Sequence, residues 1–252
     1  MKYVIFASYG NDSCALIQFT HESGLQDVTV AYSDTGWAAS WWGERVERAE
    51  AWAQSFGFST ARIASEGMHN LVKRKQAWPR GGGGRFQFCT DALKQQPAIK
   101  WLDSVDPDKS AICMIGIRRE ESANRATFPE HTADSEKHGG RDLWAPLVRH
   151  TESERNAILA RTPFAPLPTR SKECWPCVNA TKGELKLMNE ETAQRIRLIE
   201  IEMGTNSKGN ERVMFSPARH GGAVGIDAVI RDALHGADDM FSAGCDGGWC
   251  GS

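Results

Sequence analysis

The chain has 252 residues, of which 40% are hydrophobic and 25% are charged, so a globular protein with a sizeable core is expected. A formal net charge of -2 and a pI near 6.4 exclude a general attraction to nucleic-acid backbones, although local basic patches can exist. The opening apolar run is too short for the core of a signal peptide, and no run approaches the roughly 18 apolar residues of a membrane span. The sequence therefore predicts a cytoplasmic protein without membrane attachment, and it gives no oligomeric state.

Strand and helix signals alternate through the first half of the chain. Short apolar runs predict strands at 2–7, 28–32, 58–63 and 111–117. Apolar residues at helical spacing predict helices at 12–22, 42–56, 71–76 and 93–105. Asp12 is a candidate N-cap, and Pro97 is expected in a first turn or at a kink. This alternation predicts an α/β fold with a twisted, mostly parallel sheet and helices on both faces.

The alternation weakens after about residue 125. The polar segment 127–141 is predicted to be an exposed loop. Helices are predicted at 151–160, 192–203 and 221–235, the first with a capping box formed by Thr151 and Glu154. We expect residues 1–165 to form the α/β domain. Residues 166–252 would be a helical C-terminal region, with a CxxC motif and a cysteine-containing tail, packed on the same domain.

The loop after the first predicted strand, residues 8–13 (SYGNDS), has the composition of a phosphate-binding loop. It precedes a helix, and backbone N–H groups at a helix N-terminus favour phosphate. Ser8 and Ser13 add hydroxyl donors, and Gly10 permits close approach of the backbone. A turn capped by Asp12 is the alternative interpretation.

Two further strand ends carry suitable groups. The second predicted strand ends in Asp34-Thr35-Gly36, and the fourth in the segment 116–125 (GIRREESANR). Ligands of open parallel sheets gather beyond the carboxyl ends of the strands. Arginines there can bind phosphate or sulfate through two hydrogen bonds. A charge run alone is typical of a solvated surface, but three strand ends with such groups in one sheet favour a ligand site.

The three strand-end motifs do not stand alone. Residues 85–97 (RFQFCTDALKQQP), 144–147 (WAPL), the predicted helix at 151–162 and 174–177 (CWPC) follow them in order. Together the motifs, within residues 2–177, resemble the phosphoadenosine phosphosulfate reductase family. That family belongs to the adenine nucleotide α-hydrolase group, which includes ATP pyrophosphatases. The resemblance implies the fold of that group and an adenine nucleotide ligand: ATP, with Mg²⁺ as its companion, or adenylylsulfate or phosphoadenylylsulfate.

The resemblance also implies roles for single residues. It assigns nucleotide binding to Ser8, Gly10, Asn11, Asp12, Ser13, Asp34, Thr35, Gly36, Gly116, Arg118, Arg119 and Arg125. It makes Asp12, Lys94, Arg118 and Cys250 the catalytic candidates. The pyrophosphatase pattern usually has lysine at the position of Asn11, and this departure argues against efficient cleavage between the α- and β-phosphates. Lys94 or an arginine could supply the missing charge.

Seven cysteines in a chain without a secretory signal argue against a disulfide framework. Cys14 and Cys113 lie inside apolar runs and are expected in the core. The other five lie in loop-like contexts: Cys89, Cys174, Cys177, Cys245 and Cys250. A CxxC motif in a proline-containing loop favours a metal or cluster site over a thioredoxin-type redox pair, which would open a helix after a strand.

The resemblance implies a [4Fe–4S] cluster held by Cys89, Cys174 and Cys177, with Cys245 or Cys250 as the fourth ligand. The family's reductases usually have adjacent cysteines upstream, whereas this chain has Phe88-Cys89. Zinc is the alternative metal, because thiolates suit it equally well. Disorder is the alternative interpretation of the tail, which lacks the Glu-Cys-Gly-Leu-His motif of sulfonucleotide reductases.

Three functions are compatible with these motifs. The first is an ATP pyrophosphatase-like enzyme that uses a cluster in sulfur transfer or in nucleic-acid or nucleotide modification, with a sulfur donor or a nucleic-acid modification partner. The second is a sulfonucleotide reductase that produces sulfite through a thiosulfonate on Cys250 or Cys245. The third is a nucleotide-binding partner without catalysis. We expect the first function, three strand ends at one cleft, and Cys89, Cys174 and Cys177 together beside it.

Overall fold

The computed structural model describes residues 1–81 and 86–235. Its six strands form one sheet and are β1 (Tyr3–Phe6), β2 (Val28–Asp34), β3 (Ser59–Ala64), β4 (Ile112–Ile115), β5 (His131–Ser135) and β6 (Arg141–Trp144). The strand order is β3-β2-β1-β4-β6-β5, and every neighbouring pair is parallel except β5 with β6. The predicted α/β class with a mostly parallel sheet is therefore confirmed.

The helices of these residues account for most of the remaining regular structure. They are α1 (Asn11–Glu22), α2 (Trp42–Ser55), α3 (Met68–Lys75), α4 (Phe88–Thr90), α5 (Gln96–Val105), α6 (Glu152–Leu159), α7 (Lys182–Leu185), α8 (Glu190–Met203) and α9 (Ile226–His235). A π-helical turn, Asp91–Gln95, joins α4 to α5, and Pro97 lies in the first turn of α5. Pro97 therefore does not end the helix, which continues to Val105.

The predicted exposed loop at 127–141 is wrong. It contains strand β5, a short 3₁₀ turn and the start of β6. Two of these features have no apolar signature: β5 is a largely exposed edge strand, and β6 begins with the fully buried Arg141. Arg141 is buried because its Nε donates to Asp106 Oδ2 at 2.7 Å, a partner 35 residues away in sequence. Pairing with β4 and this ion pair determine the strand, and neither is visible in local periodicity.

The helix starts show one wrong and one confirmed cap. Gly10, not Asp12, is the N-cap of α1, because Asp12 lies inside the first turn. Thr151 caps α6, and Glu154 completes the predicted capping box. The apolar face predicted for α2 is also confirmed, since Trp42, Val46, Ala49 and Ala53 are its buried residues.

Side chains on the central strands alternate between two cores. Ile5, Val30 and Met114 face a cluster with α1, α2 and α6, while Val4 and Ala31 face a cluster with α5. Helices therefore cover both faces of the sheet. The predicted core cysteines, Cys14 and Cys113, are fully buried, one in each cluster.

A third cluster joins α3, α8 and α9 to the cysteine loop around 174–178. The division into 1–165 and 166–252 stays a prediction. Across the part of the chain described here, no helix has both the length and the apolar character needed to cross a bilayer.

Candidate functional site

The loops after β1 and β4 face each other at the carboxyl edge of the sheet. In the sheet, β1 lies between β2 and β4. The chain runs from β1 to β2 and β3 on one side and then crosses to β4 on the other, so the two loops lie at a topological switch point. Gly116, just after β4, packs directly on the start of α1. A Cβ added at Gly116 would lie 2.8 Å from the backbone oxygen of Asp12, so only glycine allows this approach.

Asp12 is held between two guanidinium groups. Arg118 Nε donates to Asp12 Oδ1 at 2.5 Å, and Arg155 Nη1 donates to Asp12 Oδ2 at 3.0 Å. All three side chains are 7% exposed or less. Burial acts to lower the pKa of Arg118, but the Asp12 carboxylate outweighs it and keeps that pKa above its ordinary value. Arg155 was not among the predicted site residues; its position on the helix predicted at 151–160 was the available signal.

The arginines predicted to bind substrate are engaged within the protein. Arg118 Nη1 also donates to Glu120 Oε2 at 3.1 Å. Arg119 Nε donates to the carbonyl of Phe128 at 2.9 Å, and Arg125 Nη1 pairs with Glu121. These contacts fix the loop after β4, and they leave less of the guanidinium surface for a bound sulfate or phosphate.

The loop of residues 8–13 closes on itself through its hydroxyl groups. Ser8 Oγ accepts from Gly10 N at 3.3 Å, and Ser13 Oγ donates to the Gly10 carbonyl at 3.2 Å. Helix α1 begins without a side-chain cap, so its first N–H groups are presented by this loop. Tyr9 has a left-handed backbone (φ 58°), an unusual conformation for a bulky residue, and its ring stacks on Tyr32 at 5.7 Å.

Asn11 fastens a second segment over the loop. Its Nδ2 donates to the Leu167 carbonyl at 2.9 Å, and the Leu167 N–H donates to Asn11 Oδ1 at 2.8 Å. The side chain that replaces the lysine of the pyrophosphatase pattern therefore binds backbone 156 residues away. Only its backbone N–H remains at the first turn of α1, where phosphate binding was predicted.

The end of β2 is attached to the cysteine loop. Asp34 Oδ1 accepts from Gly36 N at 2.9 Å, which forms a turn, and Thr35 Oγ1 donates to the Glu173 carbonyl at 2.9 Å. Trp37 pairs with Cys174 through an isolated parallel bridge. Because β2 is the neighbour of β1, these contacts place the cysteine loop at the same edge of the sheet as the loop of residues 8–13.

Cys89, Cys174 and Cys177 line one cavity, together with Thr35 and Lys94. Lys94 Nζ forms a buried ion pair with Glu173 in its wall. Burial raises the pKa of the Cys89 thiol to about 11 and that of Cys174 well above its ordinary value, while Lys94 lowers both. Cys177 is near enough to raise the pKa values of both Cys89 and Cys174, as expected for groups in one site.

The donor set fits a metal that prefers thiolates. Three cysteine sulfurs line the cavity, and the N–H of Asn179 donates to Cys177 Sγ at 3.4 Å. Within residues 1–81 and 86–235, however, no three His, Cys, Asp or Glu side chains are arranged as a ready metal-ligand group. The predicted candidates Cys245 and Cys250, and Arg85 of the 85–97 motif, lie outside the described residues.

Comparisons with known proteins give limited similarity. No family model matches the chain. An uncharacterized 37.8 kDa protein of Escherichia phage 186 is 26% identical, with 54% of this chain and 45% of the relative covered. An uncharacterized protein of Methanocaldococcus jannaschii is 27% identical, with 48% of this chain and 23% of the relative covered. The matched part of this chain thus spans less than half the length of either curated relative.

Among solved structures, the chain is similar to a phosphoadenylyl-sulfate (PAPS) reductase from Candida auris in complex with phosphate. The TM-score is 0.43 and the sequence identity 12%, over 63% of this chain and 70% of that chain.

Proposed function

We propose that the chain binds an adenine nucleotide at the carboxyl ends of β1, β2 and β4, with the phosphates at residues 8–13. The observation that carries the proposal is the contact of Asp12 with Arg118, which joins the loops after β1 and β4 at the switch point. The uncapped start of α1 supplies N–H donors for phosphate, and the hydroxyls of Ser8 and Ser13 would turn from their contacts within the loop to donate to it. The adenosine would lie beside Asp34, Thr35 and Gly36.

The reaction we favour is ATP pyrophosphatase-like. Cleavage between the α- and β-phosphates releases pyrophosphate and leaves AMP on an oxygen of the acceptor. Asp12 would keep Arg118 and Arg155 in place beside the developing charge, since it binds both. Asn11 contributes no cation, and Lys94 is paired with Glu173, so the arginines are the cationic groups available at the loop. Mg²⁺ would accompany ATP.

The cavity with Cys89, Cys174 and Cys177 would hold the thiolate-bound centre of the same enzyme, with Cys245 or Cys250 as a further ligand. A [4Fe–4S] cluster would supply a redox-active iron for sulfur transfer, whereas zinc would make the site structural. The chain's own part is to bring the three sulfurs to one cavity and to orient Cys177 through the N–H of Asn179, while the thiol protons would be released when the metal binds. The acceptor would be a small molecule or a nucleic acid.

A sulfonucleotide reductase is the second candidate. It is favoured by the concentration of arginines after β4, which could bind a sulfate group. The internal contacts of Arg118, Arg119 and Arg125 weaken it, because each would have to be exchanged for contacts with the sulfonucleotide. Nucleotide binding without catalysis remains the third candidate.

Calorimetric titration of the full chain with ATP and with adenylylsulfate tests the proposal. Ser13→Ala removes one hydroxyl contact to a charged phosphate, so we expect ATP affinity to fall by about 1.5–3 kcal/mol. Ser104→Ala, the same change at an exposed position on α5, is the matched control. Pyrophosphate release from ATP supports the favoured reaction, and sulfite release from adenylylsulfate supports the second. Equal affinity of both variants for both nucleotides would refute the loop assignment.

A further inference from the structure

A second cavity adjoins the cysteine loop on the side of Trp175. Trp175 lies between Cys174 and Cys177 in sequence, but its ring lines a separate cavity of about 220 Å³. Pockets for drug-sized ligands are larger, roughly 300–1,000 Å³, so this volume fits a single ring system with small substituents. Leu167, whose backbone is bound by Asn11, lines the same cavity. The cavity thus contacts both the segment over the loop of residues 8–13 and the cysteine loop.

The mouth of the cavity is aromatic and exposed. Trp41, at the start of α2, is 51% exposed, and Leu187 is 62% exposed. Large apolar side chains gathered around a cavity, rather than scattered singly, indicate a ligand or a partner. An exposed indole is also a good stacking surface for a planar ring, worth roughly 1–3 kcal/mol for a nucleic-acid base.

The wall of the cavity carries a buried amine. Lys172 is 7% exposed, and its Nζ lies 3.7 Å from the centroid of the Trp175 ring and 3.7 Å from Glu184 Oε1. No acceptor in the described part of the chain forms a hydrogen bond with this Nζ. A buried donor without an acceptor is costly, so a ligand oxygen that reached it would be bound strongly. Glu184 Oε1 also pairs with Arg170 Nε at 3.0 Å, so it balances the charge of Lys172 only in part, and the amine can bind a carbonyl oxygen or an anionic oxygen.

Asn189 supplies a second donor at the cavity. Its Oδ1 accepts from Thr192 N at 3.0 Å and caps α8, which leaves the Nδ2 amino group for another partner. Both side-chain donors therefore favour a ring that bears acceptors. Adenine offers ring nitrogens as acceptors, whereas the smaller uracil and thymine rings each carry two carbonyl oxygens, so these pyrimidines suit the two donors and the volume of about 220 Å³ better than adenine does.

We propose that this cavity binds an oxygen-bearing nucleobase, stacked on Trp41 and hydrogen-bonded to Lys172, as the acceptor side of the reaction. The inference rests on the proposed function, since it names the class of acceptor for the same site. The base would come from a free nucleotide or from a single-stranded nucleic acid. Either source places it beside Trp175 of the cysteine loop and beside Leu167, next to the loop of residues 8–13.

The test is direct binding to the full chain, measured by calorimetry with UMP and with a ten-residue oligo(U), each with and without ATP. Trp41→Ala should weaken binding by roughly five-fold or more, the lower end of one base stack. Trp41 is half-exposed, so this variant should fold normally. Lys172→Met should weaken binding similarly, while Lys100→Met, an exposed lysine on α5, is the matched control and should not.

Tight binding of UMP would identify a free nucleotide as the source, and binding of oligo(U) alone would identify a nucleic acid; both support the proposal. It is overturned if Trp41→Ala binds both probes with wild-type affinity. It is also overturned if inorganic phosphate displaces them, which would mean that the cavity selects an anion rather than a base. The ATP affinity of Ser13→Ala separates this inference from the proposed function. If Ser13→Ala binds ATP as the wild type does, the proposed function fails. If Ser13→Ala weakens ATP binding but Trp41→Ala leaves binding of UMP and oligo(U) unchanged, only this inference fails.

Discussion

The buried contact of Asp12 with two arginines offers the sharpest test of the site's architecture. Asp12→Ala would leave Arg118 and Arg155 next to each other, 7% exposed or less, without the carboxylate that separates their charges. Two of the remaining carboxylates, Glu120 and Glu152, are more than half exposed and are screened by solvent, and the third, the largely buried Glu121, is paired with Arg125. Removing one partner of a buried ion pair typically costs about 3–5 kcal/mol.

Arg155→Met should cost less than Asp12→Ala. Asp12 would keep its 2.5 Å bond to Arg118, so the main loss is the buried bond of Arg155 to Asp12, about 1.5–3 kcal/mol. The other bonds of Arg155, to Asn156 and to the exposed Glu152, contribute less. Glu22→Ala is the control, because Glu22 pairs with Arg161 at a similar distance, 2.6 Å, but both side chains are more than a third exposed. An exposed pair of this kind contributes about 0–1 kcal/mol.

Urea unfolding, followed by tryptophan fluorescence and far-UV circular dichroism, measures all three variants. The expected order of destabilisation is Asp12→Ala, then Arg155→Met, then Glu22→Ala. For a chain of this size the first change corresponds to a fall in Tm of roughly 6–20 °C. If Asp12→Ala and Glu22→Ala agree within about 1 kcal/mol, burial does not strengthen the contact and the reasoning is refuted. A loss of ATP affinity in Asp12→Ala is informative only after this measurement.

Three further predictions concern a glycine, a histidine and a cysteine. Gly116→Ala should lower stability by about 1–3 kcal/mol and weaken ATP binding, because its Cβ would overlap the backbone of α1. The control is Gly43→Ala on α2, where a Cβ has open space and the change should be neutral or stabilising. Urea unfolding and calorimetry measure both variants. His138 is buried, and burial lowers its pKa to about 4. As the pH falls, the unfolded chain therefore takes up a proton first, and wild-type stability should fall by roughly 3 kcal/mol between pH 6.5 and pH 4. His138→Gln should show a flatter profile of stability against pH in the same titration. Cys174→Ser should abolish the metal content of the protein, whereas the core variant Cys14→Ser should retain it. Anaerobic purification with absorption spectra and iron and zinc analysis measures both. Equal metal in the two variants, or a disulfide between Cys174 and Cys177, would contradict the metal site.

The sequence alone determined the elements whose signals are local. The apolar spacing of α2, the buried runs of the parallel strands and the capping box of Thr151 all depend on residues within a few positions of one another. The mostly parallel sheet followed too, because alternating strands and helices permit few topologies. The convergence of three strand ends at one edge could therefore be predicted, and so could the burial of Cys14 and Cys113.

Only the tertiary structure decided what the site residues contact. Asp12 meets Arg155 across 143 residues, Asn11 meets Leu167 across 156, and Arg141 is buried because Asp106 lies beside it. Each of these polar side chains has an exposed character in sequence, and its position depends on one distant partner. Hydrophobic periodicity averages over many residues and survives such exceptions, whereas a buried ion pair depends on two. The sequence thus predicted the sheet and the edge at which three strand ends meet, and the packing of distant segments determined how the charged groups there are paired.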